Sequence, residues 1–246
     1  MIPLKTKQDL EIMRQGGKIL AKIIEALKSK VKEGLTTLEI DELASNLMKE
    51  YNVVSAFKNY KGFPGHICIS VNEEVVHGIP SSRVLKDKDI VSIDIGIIYQ
   101  GFYLDSAFTI GIGKISPEVK KLLEVTKNAL YEGIKKAKKG NHLSDISYAI
   151  QSYVEAGGFS VVRDFVGHGI GKSLHEEPPI PNFGKPKQGP LLKEGMVLAI
   201  EPMVNMGSWE VEISSNGWTA LTKDRLPSAH FEHTVAVDNE PQILTL

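Results

Sequence analysis

Two ten-residue segments of this 246-residue chain align without a gap, and each is an apolar run that stops on a carboxylate. They are Leu85-Lys-Asp-Lys-Asp-Ile-Val-Ser-Ile-Asp94 and Leu192-Lys-Glu-Gly-Met-Val-Leu-Ala-Ile-Glu201. Burying a carboxylate without a partner costs several kcal/mol. Two such endings in one chain suggest that both acids point at a common cation. A second pair of segments repeats at nearly the same distance: Lys32-Glu-Gly34-x-Thr-x-x-Glu39-Ile40 and Lys138-Lys-Gly140-x-His-x-x-Asp145-Ile146. Gly34 and Gly140 lie 106 positions apart, and Asp94 and Glu201 lie 107 apart. Two matches at nearly one offset predict an internal duplication. The expected architecture is α+β, with two similar halves (roughly 1–113 and 114–246) forming one catalytic domain over 1–246. Each half runs from helices into antiparallel strands, and a shared site belongs in the crevice between them.

Bulk properties narrow the class. Hydrophobic residues make up 42%, enough for a sizeable core, and the net charge of −1 announces neither nucleic acid nor a disordered acidic tail. The single cysteine, Cys68, rules out an internal disulfide framework and fits a reducing compartment. The opening residues carry no signal-peptide pattern, and no apolar run reaches the roughly 18 residues of a membrane span. The expectation is a cytoplasmic protein.

Apolar residues at three- and four-residue steps predict helices over 6–29 and 37–50, and Ser116-Pro117 opens a third to about Lys138. Strands are predicted at 67–71, 90–96 and 102–110. On such strands side chains alternate, so Ser92, Asp94 and Gly96 share one face, as do Ala199 and Glu201. His230, Glu232 and Thr234 share a face of one further predicted strand. A two-residue turn at Tyr99-Gln100 would set Asp94 directly opposite Asp105. His168 sits in the glycine-rich stretch Val-Gly167-His168-Gly169-Ile-Gly171. Four carboxylates and one imidazole form a hard, oxygen-rich donor set. Two divalent ions explain that much negative charge better than one. Manganese, iron or cobalt suits the set, and zinc is also compatible. Two look-alikes fail. Gly167 to Ser173 lacks the first glycine of a phosphate loop, Val166 standing in its place, and His175-Glu-Glu lacks the second histidine of a zinc-protease helix.

The order Asp94, Asp105, His168, Glu201, Glu232 resembles the metal ligands of the pita-bread metallopeptidases. The surrounding words Val-Asn72-Glu-Glu-Val-Val-His77-Gly, His175-Glu-Glu-Pro, Ile-Glu201-Pro-Met and Glu232-His-Thr are similar to those of the type I methionine aminopeptidases. The 31 positions between Glu201 and Glu232 leave no room for the helical insertion of type II enzymes, and the N-terminal domain of the proline-directed relatives is not expected. The resemblance implies a pseudo-two-fold pita-bread fold, an antiparallel sheet flanked by helices. It implies metal-dependent removal of the initiator methionine from nascent polypeptides with a small second residue, by attack of a metal-bridging water or hydroxide. By that resemblance Asp94 chelates one ion, His168 and Glu201 complete the other, and Asp105 and Glu232 bridge. Glu201 handles the proton, His175 stabilises the oxyanion and His77 contacts the substrate near the scissile bond. The methionine pocket is expected from Tyr60, Phe63, Cys68 and Trp218, with Phe57 and Leu174 beside them. Asn72 and Ser228 match a monovalent-cation position. His66 and His230 depart from the family pattern, at the pocket rim and two residues from Glu232. The expected partners are nascent-chain N-termini at the ribosome, met by a monomer without nucleic-acid motif or membrane contact. A proline-directed peptidase and a non-catalytic peptide-binding module on the same fold are the alternatives.

Overall fold

The computed structural model describes residues 2–246. The first half contains α1 (Lys7–Lys30), α2 (Thr37–Glu50), β1 (Val54–Ser55), β2 (Cys68–Val71), β3 (Glu74–Val76), β4 (Ile90–Tyr99) and β5 (Phe102–Gly111). The second contains α3 (Pro117–Ile134), α4 (Leu143–Ala156), β6 (Ser160–Val161), β7 (Gly167–Gly169), β8 (Glu176–Ile180), β9 (Val197–Ile200) and β10 (Met203–Asn205). It continues through β11 (Val211–Ile213), β12 (Ala220–Thr222), β13 (Ser228–His230), β14 (His233–Ala236) and β15 (Gln242–Ile243). All named strand pairings are antiparallel. Among the described residues no helix is long and apolar enough to cross a membrane.

The repeated sequence words make repeated contacts. Gly34 and Gly140 both have left-handed backbone, φ +88 and +91. The Gly34 amide donates to Leu85 O and the Gly140 amide to Leu192 O, each at 2.9 Å. Leu85 and Leu192 answer with amides to Leu35 O and Asn141 O, each at 2.8 Å. Glu39 then accepts from the Thr36 amide at the start of α2, and Asp145 from the His142 amide at the start of α4, at 2.7 and 2.9 Å. Each acid satisfies an amide that the first helical turn leaves unpaired. The loop from each glycine therefore docks beside the strand that ends in Asp94 or Glu201.

Two buried clusters follow the same division. One packs α1 and α2 against β2, β4 and β5; the other packs α3 and α4 against β9, β10 and β14. Burial of α1 at Met13, Leu20, Ile24 and Leu27 is the stripe its spacing predicts. The third helix is shorter than expected and stops at Ile134 rather than near Lys138. Beyond it, Ala137 donates to Ile134 O and Lys139 to Asp238 O, each at 2.9 Å, so the last turn tightens and the chain is drawn off to the strand end at Asp238.

The halves are sewn together along β5. Thr109 Oγ1 donates to His230 O and accepts from His230 N (2.7 and 2.9 Å). Glu232 N donates to Ala107 O at 2.9 Å. Thr234 Oγ1 accepts from Asp105 N and donates to Asp105 O (3.0 and 2.8 Å). Two buried hydroxyls thus stand in for ladder bonds and fix Asp105 beside the segment that carries Glu232.

Candidate active site

Asp94 and Asp105 come from the β4–β5 hairpin, but not directly opposite each other as the assumed turn required. The turn residues are Gln100 and Gly101, both at positive φ (+47 and +78), the conformation that a tight hairpin needs at both positions. Tyr99 consequently pairs with Phe102, Asp94 with Ala107 and Asp105 with Gly96. Moving the turn by one residue moves the register by two, so both acids stay on one face as a diagonal pair.

Glu201 and Glu232 sit at a break. The single strand expected over 230–237 is two, β13 and β14, and its partner is likewise split into β9 and β10. Ile200 pairs with His233 and Met203 with His230. That common register sets Glu201 across from Glu232, in the gap where the ladder opens. Like charges directly opposed in a ladder repel. The opening leaves their side chains to the crevice, while Asn182 Nδ2 holds Glu201 O at 3.1 Å.

His168 faces them from β7, paired with Ala199. Its Nδ1 lies 2.9 Å from Gly169 O, and a carbonyl only accepts, so Nδ1 carries the proton. Nε2 therefore presents a bare lone pair, 3.6 Å from Glu201 Oε1. Burial lowers the His168 pKa to about 4, so the imidazole is neutral and this contact is not an ion pair. His230 Nε2 stands 3.6 Å from the other Glu201 oxygen, with its own pKa lowered by burial to about 3.

The donor set fits divalent metal. Asp105, His168 and Glu232, all buried, each offer an atom within 4.8 Å of the others. Asp94 Oδ1, Glu232 Oε1 and His230 Nε2 are buried with no hydrogen-bond partner, an arrangement native proteins rarely leave uncompensated. Burial, followed by the neighbouring carboxylates, pushes Asp94, Glu201 and Glu232 well above the ordinary carboxylate range. Burial raises Asp105 to about 7. Such values mark acids crowded together for a purpose other than stability.

A cavity of about 200 Å³ joins this cluster to an aromatic wall. The eleven residues expected as metal ligands, catalytic groups or methionine-pocket walls line it: Tyr60, Phe63, Cys68, His77, Asp94, Asp105, His168, His175, Glu201, Trp218 and Glu232. Phe57 and Leu174 line it as well. Phe63 and Trp218 meet edge to face, ring centres 5.2 Å apart. Cys68 is paired with Asp94 across β2 and β4, and burial beside that acid raises its thiol pKa, which makes it a wall rather than a nucleophile. His175 stands exposed at the mouth, stacked on Tyr60, whose hydroxyl is 2.9 Å from Nδ1. If Tyr60 donates there, Nε2–H is left to point at a ligand. His77 has left-handed backbone (φ +60) and meets the Phe165 ring edge-on at 5.3 Å; burial lowers its pKa to about 4.

Lys61 lines the mouth and Phe165 backs His77, and neither was anticipated. Lys61 lies in a turn whose left-handed residues carry no motif. His66 does not reach the rim; its Nδ1 is 2.8 Å from Asp41 Oδ2, and it braces α2 instead. Asn72 and Ser228 are adjacent, with the Ser228 amide on Asn72 O at 2.9 Å. Their side chains are engaged with Asp89 and with Asn205 and Val204 O.

A buried carboxylate–imidazole cluster opening on an apolar cavity, on a frame of two similar α+β halves, is the construction of a metallohydrolase. Residues 11–239 match the model for metallopeptidase family M24, and the chain belongs to that family. Within it the chain is similar to methionine aminopeptidases. It is 53% identical to the Clostridium perfringens methionine aminopeptidase, covering all of this chain and 99% of that one. It is 55% identical to methionine aminopeptidase 1 of Bacillus subtilis over 96% of each. The crystal structure of the Rickettsia prowazekii methionine aminopeptidase superposes with a TM-score of 0.98 at 42% identity, over the whole of both chains.

Proposed function

We infer that this chain is a metal-dependent aminopeptidase that removes methionine from the N-terminus of polypeptides. One observation carries the reading: the buried donor cluster and the aromatic pocket are walls of the same cavity. A cavity of about 200 Å³ takes one amino-acid residue rather than a peptide passing through. An unbranched thioether gains from aromatic walls such as Phe63 and Trp218. The substrates are nascent-chain N-termini with a small second residue, met in the cytoplasm, and residues 1–246 act as one catalytic domain of two similar halves.

Asp94, Asp105, His168, Glu201 and Glu232 would hold two divalent ions, with Asp105 and Glu232 shared. Such ions polarise the scissile carbonyl and lower the pKa of water toward neutrality. The chain's own groups do the rest. Glu201 takes a proton from the attacking water and returns it to the leaving amine. His175 Nε2–H, oriented through Tyr60 at Nδ1, donates to the carbonyl oxygen as negative charge develops there. His77 contacts the substrate beside the scissile bond. His230 Nε2 lies 3.6 Å from Glu201 Oε2, and Asn72 and Ser228 are the residues that would hold a monovalent cation.

The test is release of methionine from Met-Ala-Ser compared with hydrolysis of Xaa-Pro peptides, with and without a chelator. Methionine release that needs manganese or cobalt and stops with the chelator is the expected result. Cleavage of Xaa-Pro alone would favour a proline-directed peptidase. Protein that cleaves neither, fully loaded with metal, would be a binding module.

A further inference from the structure

Glu176 follows His175 directly and is buried apart from the metal-ligand cluster. Its side chain is 9% exposed, and that of its partner Lys5 is 5% exposed. Lys5 Nζ donates to Glu176 Oε2. The other carboxylate oxygen accepts two backbone amides, Lys172 N at 2.7 Å and Ser173 N at 3.2 Å. One carboxylate therefore closes the exposed loop between Gly171 and His175, and one lysine ties it to a distant part of the chain. Lys5 is itself anchored, its amide donating to Gly195 O at 2.7 Å, just ahead of the strand that leads to Glu201. Gly171 marks the same spot. A Cβ there would lie 2.1 Å from Lys5 Cε and 2.9 Å from Glu176 Oε1, so the glycine leaves the space that the pair fills.

A buried ion pair is a weak source of stability, because desolvating both charges offsets most of their attraction. What it supplies is geometry. The ring of His175 is held by Tyr60 and packs against His168, ring centres 4.3 Å apart. The backbone before it is pinned at its ends, by the Tyr103 amide on Gly171 O and by the Gly169–Glu176 pairing, and between them the Glu176 carboxylate holds the Lys172 and Ser173 amides. We propose that Lys5 is a positioning residue: through Glu176 it fixes the 171–176 backbone, so that His175 keeps its place at the cavity mouth. Lys5 does not line the cavity and acts on the reaction only through the loop. The inference rests on the role given to His175 above.

The test uses Lys5→Met, Glu176→Gln, the combination of both, and Lys5→Met in a His175→Ala background, all loaded with manganese and assayed on Met-Ala-Ser. Misplacing a catalytic group by about an ångström costs up to about 100-fold, so kcat should fall about 10- to 100-fold in each single variant, with KM within about threefold. The combined variant should be no worse than the poorer single one, because both remove one interaction. In the His175→Ala background, Lys5→Met should change kcat by less than about twofold, the mark of two residues acting through one path. Hydrogen exchange at the Lys172 and Ser173 amides should quicken in Lys5→Met. A pair that only stabilises the fold would lower Tm and leave kcat intact, and a pair that acts independently of His175 would add to the His175→Ala defect; either kinetic result overturns the proposal. If wild-type protein releases no methionine, the functional reading fails. The exchange measurement then still decides the tether, and unchanged exchange overturns it.

Discussion

Removing the charge from Asp105 should stabilise the metal-free protein while abolishing its activity. Asp105 is buried, and its pKa rises from 3.8 to about 7 because burial penalises the anion. Between those values the folded carboxyl keeps its proton while the unfolded one has lost it. The folded state therefore binds more protons, and Asp105's contribution to stability falls as pH rises through the window, levelling off above about 7. At about 1.4 kcal/mol for each tenfold change, the accumulated penalty is about 4 kcal/mol. In a chain of this size that is on the order of 10 °C in Tm. Desolvation lowers the pKa values of His77, His168 and His233 to about 4 and that of His230 to about 3, and these histidines oppose the trend below about pH 6.5, so the raw pH profile is not the readout. The readout is the difference between Asp105→Asn and wild type, both chelator-treated, by calorimetry from pH 4 to 8. The difference should be near zero at pH 4 and grow to several kcal/mol by pH 8. Manganese should reverse it by stabilising wild type alone. If the two proteins melt together at every pH without metal, the charge carries no penalty and the argument for a missing cation fails.

Glu201→Ala should keep its circular dichroism and lose turnover by about 10³-fold or more, since it removes both a ligand and the proton carrier; normal turnover would strike Glu201 from the mechanism. His175→Ala should lower kcat by about 10²–10³ with little change in KM, the mark of a donor that acts on developing charge; a change confined to KM would make it a binding residue. Thr234→Val leaves the Asp105 amide without its acceptor and should cost about 1–3 kcal/mol in urea unfolding. The same change should weaken metal binding about 10- to 100-fold by calorimetry, and unchanged affinity would show that Asp105 needs no brace.

The elements that carry ligands were legible because strand periodicity is rigid. Asp94 could share a face only with Ser92 and Gly96, and the reverse face had to be apolar. The duplication was legible because glycine at left-handed φ and an acid three residues into the capped helix are both required locally, so both survive as letters. Register was not legible to the residue. Tyr-Gln-Gly allows more than one turn, and only the positive φ shared by Gln100 and Gly101 selects the observed one. The strand breaks at Glu201 and Glu232 were hidden for the same reason: alternation continues through a gap in the ladder. His66 misled because a histidine beside a glycine-rich loop reads as rim, whereas its partner Asp41 lies on a helix 25 positions away. The Lys5–Glu176 pair and the threonine stitches at Thr109 and Thr234 join residues more than 100 positions apart and leave no local pattern.

The central claim is that the acids converge because cations sit among them. Anomalous diffraction from crystals soaked in manganese, recorded on both sides of its absorption edge, addresses it most directly. Two peaks in the cavity, with Asp105 and Glu232 touching both, are the predicted result. Peaks at other surfaces, with the five donors left uncoordinated, would contradict it.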